Sequence, residues 1–230
     1  MLIVAHRGAH EPETPGVREN TVAAFAAATR LGAPGVELDV RRTGDGVLVV
    51  HHDPVVPGVG PIADVARSAL PDWLPTLDAV LTFCTGFDLV DVELKNSPFE
   101  PGFDAGPALA VAVGAAVAAS PVAHRAVVTS FHLPTLDAVK AASPGLATGW
   151  LTIRGYDTEE AVRQVREHGH SAVAPPDPAI TADLVAAARS QGVLMIVWTV
   201  DRPERIEQLA SWGVDACVTN WPGLAVSLVG

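Results

Sequence analysis

The residues in this chain that could do chemistry come as short clusters of carboxylates, imidazoles and single cations. Glu37 and Asp39 lie two apart in one apolar run, and Glu93 and Lys95 share that spacing in another. On an extended strand, residues two apart project from the same face, so each pair presents its charges together. Three carboxylates converging near a buried surface repel one another unless a cation joins them, and an all-oxygen donor set suits Mg²⁺ or Ca²⁺. The competing reading is a structural network in which Glu37 or Glu93 merely pairs with Arg7 or Lys95. Either pair alone leaves both readings open; their convergence favours a metal. Two further clusters, His6-Arg7-Gly8 and His52-Asp53, each follow an apolar run.

Short apolar runs alternate with longer amphipathic ones along nearly the whole chain, as in repeated βα units around a parallel sheet. Strands are expected at Leu2 to Ala5, Gly35 to Val40, Leu89 to Leu94, Ala126 to Ser130, Ala147 to Leu151, Ser171 to Ala174, Leu194 to Thr199 and Ala216 to Thr219. These eight would close a TIM (β/α)8 barrel, whose active site lies at the C-terminal strand ends where the polar clusters fall. Helices are expected at Thr21 to Leu31, Leu77 to Thr82, Ala105 to Ala119, Leu133 to Ala142, Thr158 to His168, Ala182 to Gln191 and Pro203 to Trp212. Gly32, Gly169, Gly192 and Gly213 stand where left-handed C-caps belong. A doubly wound open sheet competes, but no Gly-rich dinucleotide loop follows the first strand.

Asp45-Gly46 between extended runs signals a hairpin. A turn centred on that pair would bring His51 and His52 opposite Asp39 and Val40. The two histidines must point in opposite directions, and this count selects His52 for the site. Residues 54–76 then read as a short insertion within one barrel domain spanning 1–230.

The 230-residue chain carries a formal net charge of −11 and no basic stripe, which argues against nucleic acid as a partner. Cys84 and Cys217 lie far apart in apolar stretches and read as buried thiols. The N-terminus lacks the pattern of a signal peptide, and no apolar run is long enough to span a membrane. A cytoplasmic protein without stable membrane association is the expectation.

The ordered set His6-Arg7-Gly8, Glu19-Asn20-Thr21, Glu37-x-Asp39, His52-Asp53, Glu93-x-Lys95, Ser130-Phe131 and Trp198-Thr199-Val200 resembles the glycerophosphodiester phosphodiesterase family along essentially the full chain. The resemblance implies a barrel enzyme that hydrolyses a small glycerophosphodiester to an alcohol and glycerol 3-phosphate. It assigns one divalent cation, Mg²⁺ or Ca²⁺, to Glu37, Asp39 and Glu93, proton exchange to His6 and His52, and the phosphate to Arg7 and Lys95. It further implies attack by the glycerol hydroxyl, giving a cyclic phosphate that water opens. The physics is compatible, because imidazoles titrate near neutrality and preorganised positive charge stabilises the non-bridging oxygens. Glu19 either supports the metal shell or His6, or begins a helix. Trp198, with Phe131 opposite, either covers the glycerol moiety or is ordinary core. His10, His124, His132, His168 and His170 read as loop or helix-surface residues.

The sequence departs from the family pattern at Arg18, where proline usually precedes Glu-Asn-Thr, and at Asn220, where aspartate is common. The insertion, which normally overlies the pocket, is short. Alternatives are a lysophospholipase D acting on single-chain lipids, a Schiff-base lyase using Lys95, and a phosphate-ligand binding module without turnover. Glu93 beside Lys95 would keep that amine protonated, which argues against the lyase.

Overall fold

A computed structural model describes residues 1–229 of the chain. Eight parallel strands close on themselves: β1 (Leu2–Ala5), β2 (Gly35–Arg42), β6 (Leu89–Leu94), β7 (Ala126–Ser130), β8 (Ala147–Leu151), β9 (Ala172–Ala174), β10 (Leu194–Val197) and β11 (Ala216–Thr219). Closure runs through β1, which pairs with β2 on one side and with β11 on the other, so the expected TIM barrel is present and the open sheet is excluded. Between the parallel strands lie α1 (Val22–Arg30), α2 (Leu77–Phe83), α3 (Ala108–Ala119), α4 (Leu133–Ala142), α5 (Thr158–Glu167), α6 (Ala182–Ser190) and α7 (Pro203–Trp212), and α8 (Pro222–Val229) follows β11. The four expected C-cap glycines all have positive φ.

Strand alternation sorts the apolar side chains into two layers. Val36, Leu38 and Val40 on β2 and Val90, Val92 and Leu94 on β6 pack outward against Phe25, Leu81, Leu109 and Val113 of the helices. Val4, Val127, Leu151, Ala172, Ile196 and Val218 form a separate cluster drawn from the strands alone, which fills the barrel interior. Residues of opposite parity on β2 and β6 must therefore face that interior, and these are the acids. The β2–β6 register sets Glu37 beside Asp91 and Asp39 beside Glu93.

The hairpin forms, but its register differs by one residue from the expected count. Val40 pairs with Val50 and Arg42 with Leu48 in the ladder to β3 (Leu48–Val50), and the His51 N–H donates to the Asp39 carbonyl at 2.9 Å. Three residues, Gly44 to Gly46, turn the corner instead of two. Thr43 hydroxyl bonds to Asp45 Oδ1 and the Val47 backbone stabilise this longer loop, and Gly46 takes the left-handed position it requires (φ 87°). His51 thus stands opposite Asp39. The insertion contributes a two-stranded ribbon, β4 (Val55–Val56) with β5 (Gly60–Pro61), over its own apolar cluster of Val49, Val56, Ile62, Leu70 and Leu74.

Candidate active site

The C-terminal strand ends surround a pocket of about 210 Å³ lined by His6, Arg7, Glu37, His52, Asp91, Glu93, Lys95, Phe131 and Trp198, with Leu151, Ile196 and Val218 of the barrel interior also lining it. Of the ten residues singled out in the sequence, all but Asp39 and Glu19 line it directly. Asp39 is fully buried beside it, and Glu19 reaches it through Arg7.

His6 follows β1, where its N–H donates to the Thr219 carbonyl at 3.0 Å. Its Nδ1 lies 2.8 Å from Asn220 Oδ1, while Asn220 Nδ2 donates to Asp201 Oδ2 at 2.8 Å. Asp201 can only accept, so it fixes the amide orientation, and His6 must donate from Nδ1. Nε2 is then the free lone pair, 4.0 Å from Glu37 Oε2. Burial, aided by the Arg7 charge, lowers the His6 pKa to about 4.

Arg7 occupies a left-handed backbone position (φ 57°) that turns its N–H onto Glu37 Oε2 at 2.8 Å. Its guanidinium is gripped by both oxygens of Glu19, at 3.0 and 3.1 Å, and stands 3.3 Å from Asp39 Oδ2. Glu19 thus contacts Arg7 rather than His6, and the helix begins at Thr21, whose hydroxyl accepts from the Ala24 N–H.

Ligand atoms of Glu37, Asp39 and Glu93 lie within 4.8 Å of one another. Glu37 Oε1 is buried without a hydrogen-bond partner, and Asp39 Oδ1 meets the Lys95 ammonium at 3.0 Å. Burial and the neighbouring Asp39 and Glu93 charges push the Glu37 pKa well above its usual range. Burial likewise lifts Glu93 to about 7, against the opposing pull of Lys95. An orphaned oxygen on Glu37 and mutual repulsion among buried carboxylates are the features a hard divalent cation would relieve, so this set fits Mg²⁺ or Ca²⁺. Lys95 Nζ sits 2.7 Å from Glu93 and 3.0 Å from Asp39, and despite burial these charges hold it protonated. A protonated amine is no Schiff-base nucleophile, which removes the physical basis of the lyase reading.

His52 lines the pocket although the ladder register favours His51. The pairing ends at Val50, and beyond it the chain turns, freeing each side chain from strand alternation. His51 packs edge-on against Trp73 of the insertion, at 5.8 Å. His52 Nδ1 lies 2.7 Å from Asp53 Oδ1, and its carbonyl accepts from Arg41 Nε at 2.7 Å. Phe131 and Trp198 meet edge to face at 5.5 Å on the pocket wall, and the Trp198 indole N–H donates to the Ala174 carbonyl.

Arg41, Asp91 and Asp201 were missed in the sequence, and Asn20 and Asn220 were noted there only as motif positions without these contacts. Arg41 anchors the His52 backbone; Asn20 donates to Asp39 Oδ2 at 2.7 Å; Asp201 sets Asn220; Asn220 sets His6; and Asp91, bonded by Thr129 at 2.6 Å, lies one strand step below Glu93. Burial raises the Asp91 pKa to about 7. Arg41 and Asp91 were legible by the same rule that found their neighbours, since Glu37-x-Asp39-x-Arg41 and Asp91-x-Glu93-x-Lys95 are both period-two series. Asn20, Asp201 and Asn220 carried no periodic signal. His170, expected on a loop or helix surface, is instead buried, because the turn after α5 tucks its ring beside Thr148 of β8.

Carboxylates, two histidines and two cations at the mouth of a closed barrel define a hydrolase-type site for an anionic substrate. The profile of the glycerophosphoryl diester phosphodiesterase family matches residues 6–224. The glycerophosphodiester phosphodiesterase of Caldanaerobacter subterraneus subsp. tengcongensis is 32% identical, with 99% of this chain and 97% of that protein covered. A crystal structure from Silicibacter pomeroyi DSS-3 superposes with a TM-score of 0.85 at 26% identity, over 99% of this chain and 92% of the other. An Oleispira antarctica phosphodiesterase, solved in complex with the product sn-glycerol-3-phosphate, shares the fold with a TM-score of 0.80 at 20% identity, covering 100% and 96%. The chain belongs to the glycerophosphoryl diester phosphodiesterase family, and is accordingly a phosphoric diester hydrolase.

Proposed function

We propose that this enzyme hydrolyses small glycerophosphodiesters to an alcohol and glycerol 3-phosphate, with one divalent cation, Mg²⁺ or Ca²⁺, on Glu37, Asp39 and Glu93 and with His6 and His52 as its acid-base pair. The observation that carries the reading is the chain Asp201–Asn220–His6, which aims a neutral Nε2 lone pair at the carboxylate cluster. A bound cation would neutralise charge on the non-bridging phosphate oxygens. Arg7, braced by Glu19, and Lys95 supply positive charge for the same oxygens. In the first step His6 Nε2 takes the proton of the attacking glycerol hydroxyl, and His52, its Nδ1 held by Asp53, gives a proton to the leaving alkoxide. In the second, His6 returns its proton to the same glycerol oxygen while His52, left neutral by the first step, takes the proton of the attacking water. Phe131 and Trp198 bound the glycerol side. The two buried, unpaired cysteines support a reducing, cytoplasmic setting.

Glycerophosphocholine turnover across a panel of metals, with and without chelator, tests the reading. Chelation should abolish activity and Mg²⁺ or Ca²⁺ restore it, and His6→Ala and His52→Ala should each lose about 10²–10⁴-fold in kcat with the fold retained. Full activity in chelator, or no turnover of any diester with any metal, refutes it.

One observation favours a second reading, lysophospholipase D. A cavity of about 490 Å³ beside the catalytic pocket shares His52, Glu93, Lys95 and Phe131 with it and carries Phe99, 94% exposed, and Ile153, 63% exposed. These come from the β6–α3 and β8–α5 loops, so an apolar rim exists without help from the insertion. Relative turnover of lysophosphatidylcholine and glycerophosphocholine decides between them. No helix among the described residues is long and apolar enough to cross a membrane.

A further inference from the structure

At the opposite end of the barrel, Asp137, His168 and His170 bring one ligating atom each within 4.8 Å of one another. A helix terminus builds this cluster. After α5 the Gly169 N–H donates to the Arg166 carbonyl at 3.0 Å and the His170 N–H to the Val165 carbonyl at 2.8 Å, the paired bonds of a Schellman motif. Gly169 takes the left-handed conformation (φ 74°) that this motif needs. The reversal lays the His168 and His170 rings nearly parallel, with centroids 6.0 Å apart and 13° between planes. From the neighbouring α4, Asp137 Oδ1 reaches to 2.8 Å from His168 Nδ1 and 3.3 Å from His170 Nε2.

His170 carries the argument. Its side chain is 0% exposed, its Nδ1 lies 2.9 Å from Thr148 Oγ1, and its Nε2 faces Asp137 Oδ1 at 3.3 Å. In the tautomer whose Nδ1 proton goes to Thr148, the Nε2 lone pair faces Asp137 and His168, which is the form a metal would select. A hydrogen bond at the outer nitrogen is the usual support of a metal-bound imidazole. Zinc bonds of about 2.0 Å in a tetrahedron set donors about 3.3 Å apart, the separation found between His170 and Asp137. His168, half-exposed at the helix end, has room to widen its shorter contact.

We propose that Asp137, His168 and His170 form a three-ligand site for a borderline divalent transition metal, Zn²⁺ foremost, which ties α4 to the α5–β9 turn. Two imidazoles and one carboxylate suit Zn²⁺ and disfavour Mg²⁺ or Ca²⁺, so this site and the all-oxygen set at the barrel mouth select different ions. Water would complete the shell on the solvent side.

The test titrates the metal-free full chain with Zn²⁺ in saturating Mg²⁺, read by competition with a chromogenic chelator, in wild type, Glu93→Gln, His168→Ala and Asp137→Asn. One equivalent should bind to wild type and to Glu93→Gln alike. Removing an orienting contact alone weakens metal sites about 10–100-fold, so loss of a ligand in His168→Ala or Asp137→Asn should cost at least about tenfold. Because His168 is half-exposed, His168→Ala keeps the fold, which circular dichroism verifies. Co²⁺ should give the visible absorption of a tetrahedral ion in wild type and not in His168→Ala. No Zn²⁺ uptake by wild type, uptake unchanged by both substitutions, or uptake lost in Glu93→Gln overturns the proposal.

Discussion

Replacing Asn20 tests how the Asp39 carboxylate is held. Asn20 is buried, donates from Nδ2 to Asp39 Oδ2 at 2.7 Å, accepts from the Asp39 N–H at 3.3 Å, and sits at a left-handed φ of 56°. A hydrogen bond to a charged group contributes about 1.5–3 kcal/mol. Alanine in the left-handed region adds about 1–2 kcal/mol that glycine avoids. Asn20→Gly should therefore lose about 1.5–3 kcal/mol and Asn20→Ala about 2.5–5 kcal/mol. Both fall below the total of about 5–15 kcal/mol typical of a domain, so urea midpoints are measurable for each. Loss of the orienting bond should also weaken Mg²⁺ at the carboxylate cluster about 10–100-fold, read by calorimetry. The pH dependence has a definite sign. Burial opposes ionisation of Asp39, but Lys95, Arg7, His52 and the Asn20 bond hold its carboxyl well below the usual range. Its stabilisation is present above the unfolded pKa of about 4 and is lost as pH falls below that value. Asn20→Gly should make that acid loss shallower. A glycine variant matching wild type in both stability and metal affinity, or one less stable than the alanine variant, refutes the reasoning.

Three further outcomes are expected. Gly8→Ala places a Cβ 2.7 Å from the Ala24 backbone at a φ of 78°; strain of about 1–2 kcal/mol and overpacking of about 1–3 kcal/mol should show as a lower urea midpoint. Asn220→Asp puts a carboxylate on His6 Nδ1, so the low His6 pKa should rise by about one unit or more. Since neutral His6 is the proposed base, the acid limb of the kcat/KM profile should move up in pH with it, and an unmoved limb would remove His6 from that role. Burial pushes both thiols up to about 12, so Cys84 and Cys217 should resist a thiol reagent in the native protein and react in urea; fast native labelling would contradict their packing.

The two pocket histidines show most directly where sequence reasoning stops. Strand alternation alone put Glu37 with Asp39 and Glu93 with Lys95, and position alone put His6 at a strand end; period two is a local property that needs no tertiary knowledge. His52 lines the pocket, as expected, although the hairpin count behind that expectation was off by one. A third turn residue shifted the register by one, and departure of the chain from the ladder after Val50 brought His52 to the pocket. Helix α8 went unread because its residues are almost all apolar, leaving no wet face to mark a period.

By itself the sequence determined the eight strands, the acidic columns and the thiols' burial, since each follows from spacing or local polarity. Only the tertiary structure decided which atom of His6 is free, that Asn20 secures Asp39, that Glu19 serves Arg7, and that His168 and His170 share Asp137. Those contacts join residues separated by 214, 19, 12 and about 31 positions. Side-chain hydrogen bonds of this kind depend on angle and distance across packed elements, and closure of the barrel sets both.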